Sequence, residues 1–112
     1  MNHVEGLKNV GENNQRLATA IPGEMKGFMG LVQSVLKDSA LTMKEKELIA
    51  LGIAVAVRCE GCIETHINNL VNLGTTKQEV AEAISVAILM GGGPSTVYGG
   101  KALEAYDQIS EE

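Results

Sequence analysis

Nine consecutive residues, Ile49-Ala50-Leu51-Gly52-Ile53-Ala54-Val55-Ala56-Val57, place no polar side chain on any face. Thr42-x-x-Glu45 stands just before them, the pattern of a reciprocal helix cap, so the run reads as a helix opening after Thr42. A helix that is apolar all round has to be covered all round. A chain of 112 residues fits one domain with one core, and such a domain cannot easily wrap one helix completely. Self-association is the simplest cover; a helix central within a monomer is the alternative.

The flanking segments repeat the helical period. Val4 to Thr19 forms a weak helix, interrupted by Gly6 and Gly11, and Pro22-Gly23 breaks it. Met25, Phe28, Met29, Val32, Val35 and Leu36 mark an amphipathic helix ending near Asp38-Ser39. After Arg58-Cys59-Glu60-Gly61 a further helix runs to Leu73, with Gly74 as its left-handed cap. Thr76-x-x-Glu79 opens a fifth helix as far as Gly91-Gly92-Gly93-Pro94, and a sixth spans about Ser95 to Ile109. No strand-like alternation of useful length appears. The expected fold is all-α, about six helices, in a single domain over 1–112.

The formal net charge of -5 and the scattered basic residues, with Lys44 and Lys46 the nearest to a cluster, argue against nucleic acid. No apolar run reaches the roughly 18 residues of a membrane span. The start, Met1-Asn2-His3-Val4-Glu5, lacks the order of a secretory signal, which points to the cytoplasm. In that compartment a lone cysteine pair is expected to be reactive rather than structural.

That pair is Cys59-Glu60-Gly61-Cys62, and the chain has no other cysteine. Two thiols at this spacing can pass between dithiol and disulfide. They sit at a helix start, where unpaired N–H groups and the dipole favour an anion, so a thiol pKa below the ordinary value of about 8.5 is expected. His66 lies one turn beyond Cys62 on the same face. The helices on either side form an antiparallel hairpin about Arg58, which brings Glu47 opposite His66. Glu47, His66 and Cys62 then form a chain in which a carboxylate orients an imidazole and the imidazole takes a thiol proton.

Glu47, Cys59, Cys62 and His66 together resemble the E-x11-C-x-x-C-x3-H signature of the alkylhydroperoxidase D (AhpD)-like branch of the carboxymuconolactone decarboxylase superfamily. The resemblance runs from about Leu41 to Tyr106, including Gly91-Gly92-Gly93-Pro94 and Lys101-Ala102-Leu103-Glu104-Ala105, and leaves out the first 40 residues. It implies an all-α fold assembled as trimers or hexamers, whose thiols reduce hydroperoxides. It assigns Cys62 as the peroxidatic thiol, Cys59 as the resolving thiol, and Glu47 and His66 as the proton relay. It implies no metal or organic cofactor, and a dithiol reductant such as a dihydrolipoyl or thioredoxin-like protein. The best-known members carry a second histidine where this chain has Gly61, which implies a shorter relay, weaker peroxidase turnover and more general disulfide exchange.

Other readings compete. Cys59, Cys62, His66 and Glu47 could make four zinc ligands, although structural zinc prefers cysteine and histidine alone. The pair could be buried and inert. A decarboxylase acting on a lactone acid would not need the cysteines, and a redox-sensing protein would oxidise without turnover. Glu60 and Glu64 are expected to face solvent, Glu60 opposing thiolate formation. Met25, Met29, Met43 and Met90 are expected to fill the core, and Tyr98 and Tyr106 to pack.

Overall fold

A computed structural model describes residues 2–112. Among them there are six helices and no strand: α1 (His3–Ala20), α2 (Pro22–Val35), α3 (Met43–Ala56), α4 (Glu60–Asn72), α5 (Lys77–Gly91) and α6 (Gly93–Ser110). Local chemistry sets most of the boundaries. Thr42 and Glu45 cap α3 reciprocally, Thr76 and Glu79 do the same for α5, and Gly74 takes a φ of 75° after α4. Pro22 and Pro94 sit in the first turns of α2 and α6, where a missing N–H costs nothing.

Helices α3 to α6 form the core. Leu51 and Val55 of α3 meet Ile63, Ile67 and Leu70 of α4, Val80 and Ile84 of α5, and Ala102 and Ala105 of α6, all buried. The small residues of α6 let its backbone approach α4 and α5 closely. Helix α1 lies against α4 and α6, whereas α2 packs on α1 and is tied to α3 where Lys46 Nζ donates to the Val35 carbonyl at 2.9 Å.

The run Ile49 to Val57 is not covered all round within one chain. Leu51, Ala54 and Val55 are buried, but Ile53 is 57% exposed and Ile49 and Val57 are exposed with it. They continue onto Val86, Leu89 and Met90 of α5, the last two 80% exposed. Between α3 and α5 lies an open apolar groove of about 610 Å³, lined by Ile49, Gly52, Ile53, Ala83, Val86 and Met90. Met29 and Met90 are therefore surface residues, not core filler, and Phe28, Leu31 and Val35 of α2 are exposed as well. Helical period cannot say whether an apolar face meets the chain's own core or something beyond it.

Glu64 also departs from expectation. Rather than facing solvent it is buried, and its Oε2 lies 2.7 Å from Nδ1 of His3. His3, only 1% exposed, has its Nε2 2.7 Å from Oε1 of Glu104 on α6. Each ring nitrogen faces a carboxylate, so both can donate only when the imidazole carries its second proton. The His3 amide donates to Oε1 of Gln108 at 2.6 Å. The start of α1 is thereby fastened to α4 and α6 through polar contacts spanning 61 to 105 positions of sequence.

Candidate functional site

The turn between α3 and α4 is short because Arg58 accepts a φ of 61°, and the Cys59 amide reaches back to donate to the Ala54 carbonyl at 3.0 Å. Cys59 is the N-cap of α4, and its sulfur accepts from the Cys62 amide at 3.3 Å. Both cysteines are free thiols, Cys62 exposed and Cys59 half-buried. Their sulfurs hydrogen-bond at 2.6 Å, so closing a disulfide of about 2.05 Å needs only a small approach.

The helix end acts on the two thiols unequally. Its free amide is directed at the Cys59 sulfur. The Cys62 thiol is instead pushed up to about 11, first by desolvation and then by its hydrogen bond to Cys59 and the charge there. The lowered thiol pKa expected from the helix start does not hold for Cys62. Desolvation, with a second sulfur within 3 Å, outweighs a dipole end. Cys62 therefore keeps its proton near neutral pH unless a base takes it, or unless the pair is already oxidised.

An imidazole stands one turn further along α4. Nδ1 of His66 lies 2.6 Å from Oε1 of Glu47, bringing together the two residues the hairpin argument paired. Glu47 is 2% exposed, and its other oxygen accepts from Nδ2 of Asn69 at 2.8 Å. The carboxylate is thus held by two residues of α4 and fixes the imidazole through Nδ1. Nε2 has no hydrogen-bond partner among the described residues. Asn69 was not legible beforehand, although it sits three residues after His66 on the same helix face. The hydroxyl of Thr65, between Glu64 and His66, is occupied by the Gly61 carbonyl at 2.9 Å.

Gly61 has a steric role here. A β-carbon at that position would stand 3.1 Å from Cγ2 of Val10, tighter than an ordinary contact, so α1 packs directly over the cysteine turn. A histidine there would have to displace Val10. Glu60, the remaining residue of the motif, is half-buried rather than turned to solvent, with Oε1 2.7 Å from Nζ of Lys101. Tyr98 lies beneath the same lysine, and the Tyr106 hydroxyl donates to the Thr75 carbonyl at 2.8 Å, a packing role. No group of three or more potential metal ligands is gathered among the described residues, and Cys59, Cys62, His66 and Glu47 do not form one. No helix among those residues is long and apolar enough to cross a membrane.

Known proteins share this arrangement of helices. A carboxymuconolactone decarboxylase family protein from Legionella pneumophila superposes with a TM-score of 0.93 at 41% identity, covering 96% of each chain. Another from Thermotoga maritima, whose involvement in an antioxidative response has been suggested, gives 0.83 at 25% identity over 96% of this chain and 91% of its own. An uncharacterised protein of Cupriavidus necator is 34% identical over 84% of this chain and 83% of its own length. The alkyl hydroperoxide reductase AhpD of Corynebacterium kroppenstedtii is 30% identical over 57% of this chain but only 37% of its own length. The match to the family pattern covers residues 22–105, so it takes in α2, which the sequence resemblance beginning near Leu41 had left out. The chain belongs to the carboxymuconolactone decarboxylase family.

Proposed function

We propose that the protein is a thiol-dependent peroxidase and disulfide reductase working through a Cys59–Cys62 dithiol/disulfide couple. The observation that carries this reading is the pair of free sulfurs 2.6 Å apart, one turn from an imidazole oriented by a buried carboxylate. His66, held by Glu47, takes the Cys62 proton. The Cys62 thiolate attacks the terminal oxygen of a hydroperoxide, the O–O bond breaks, and the departing alkoxide takes the proton from His66. Cys62 is then a sulfenic acid and the product an alcohol. The Cys59 sulfur attacks the Cys62 sulfur, water leaves, and the disulfide forms. A dithiol reductant, of dihydrolipoyl or thioredoxin-like type, restores both thiols by exchange and is itself oxidised to a disulfide.

The exposed Cys62 suits the attacking role, and the half-buried Cys59 beside it suits resolution. The distant AhpD relative and the suggested antioxidative role of the Thermotoga protein favour the same chemistry. The apolar groove between α3 and α5 and the exposed face of α2 favour a homo-oligomer, for which the family resemblance implies a trimer or hexamer. The test is thiol titration before and after one equivalent of cumene hydroperoxide, followed by turnover with dihydrolipoamide. Loss of two thiols per chain and sustained turnover are expected. Oxidation without turnover would point to a redox sensor, and unchanged thiols would remove the peroxidase reading.

A further inference from the structure

The residue between the cysteines is an anion. Glu60 is the first residue of α4, so its carboxylate shares with the thiols the one positive helix end available to them. An unopposed carboxylate there would disfavour any second negative charge on either sulfur. It is not unopposed. Lys101, on α6, places Nζ 2.7 Å from Oε1 of Glu60, with the two side chains only 31% and 35% exposed. The ammonium also lies 5.7 Å from the ring centroid of Tyr98, one helical turn earlier on α6.

The surrounding charges leave this lysine as the partner of Glu60. On α4, Glu64 is held by His3 of α1, and Glu104 on α6 reaches the other side of the same imidazole. From α3, Glu47 is held by His66 and Asn69. Arg58, in the turn before Cys59, is exposed. The bond to Glu60 is the main cause of a raised Lys101 pKa and outweighs the desolvation that opposes it, so the ammonium is charged throughout the range in which the thiols work.

We propose that Lys101 is a positioning residue for the redox centre: it holds the Glu60 carboxylate and cancels the negative charge between the two cysteines, so that a thiolate can form beside it. This rests on the reading of Cys59 and Cys62 as a working thiol pair. It concerns the reduced protein, however, and can be read without peroxide.

The experiment is the pH dependence of iodoacetamide alkylation of the fully reduced protein, followed for each cysteine by mass spectrometry. Lys101→Met should shift the thiol profile to higher pH and slow alkylation near neutral pH about two- to fivefold, the effect of one screened charge. Lys101→Arg should restore the parent profile. Glu60→Gln, which leaves α6 untouched, should shift the profile the other way, and Glu60→Gln with Lys101→Met should return close to the parent. Raising the salt should shrink all the differences. A lysine that merely ties α6 to α4 would lower the melting temperature of Lys101→Met and leave its profile in place. That result, or a double variant as slow as Lys101→Met alone, overturns the proposal. Should Lys101→Met not fold, an unchanged profile in Glu60→Gln overturns it equally. Loss of hydroperoxide turnover in the parent would remove the peroxidase reading and leave this one standing.

Discussion

Glu47 and His66 stand 19 residues apart in sequence and 2.6 Å apart in space, on the facing sides of two helices joined by a turn at Arg58. Because Glu47 is buried and bonded to Asn69 as well, its oxygen is a fixed point against which the imidazole is set. If that geometry serves proton transfer, Glu47→Gln and His66→Gln should each slow hydroperoxide turnover by ~10²–10⁴-fold while the helical signal persists. Asn69→Ala should cost less in rate but about 1–3 kcal/mol in stability, since it strips one oxygen of a buried carboxylate. Stopped-flow kinetics beside urea titration separates the two effects. Parent-like rates in both relay variants would discard the relay.

The Cys62 thiol should also show in the pH dependence of stability. Its folded pKa of about 11 lies above the ordinary thiol value of about 8.5, so folding favours the protonated thiol. The contribution is complete below about pH 9 and is lost as pH rises toward 11. Reduced parent protein should therefore weaken between pH 9 and 11 more steeply than Cys62→Ser. Equal slopes in urea titrations across that window would contradict the assignment.

Glu79 behaves oppositely. Its ion pair with Lys44, across α5 and α3, and the capping bonds from Thr76 hold its pKa down to about 2. The stabilisation is present above about pH 4.5 and is lost as pH falls toward 2. Glu79→Gln should flatten that part of the acid unfolding curve. A curve superimposable on the parent's would show the pair to be without effect in solution.

Ile53 separates assembly from folding. It is 57% exposed in the single chain, so Ile53→Asp buries no charge in an isolated subunit. If the α3–α5 groove is covered by another copy, the variant should fall to a mass near 11.8 kDa by light scattering and keep its helices. A parent protein already at that mass would reject self-association.

Gly6 tests the fastening of α1. A β-carbon at that position would overlap the Glu64 carboxylate, which His3 holds in place. Gly6→Ala should therefore destabilise the protein by about 1–3 kcal/mol, against the usual gain for alanine in a helix. Raised proteolysis of α1 is the expected companion. A stabilised variant would mean that Glu64 yields freely.

The sequence by itself determined what neighbours along the chain decide. Capping boxes at Thr42 and Thr76, the left-handed Gly74 and the prolines at helix starts operate within one turn, so the helix limits were readable within a few residues. The hairpin pairing of Glu47 with His66 was readable too, because a short turn between two helices leaves little freedom of register. Asn69 lay one turn beyond His66, and nothing local distinguished it from a solvent-facing amide.

Only the tertiary structure decided the rest. Glu64 is buried because His3, 61 residues earlier, brings a partner to it, and no local pattern announces a partner at that distance. Likewise, the apolar run of α3 specified a helix without specifying its cover, since burial depends on what surrounds a face. The helix start predicted an acidic thiol, but partial desolvation and a second sulfur 2.6 Å away hold the proton on Cys62. Hydrogen bonding and capping reach a few ångströms along the backbone. Desolvation and charge compensation depend on every group that packing brings near, and helices distant in sequence supply those groups.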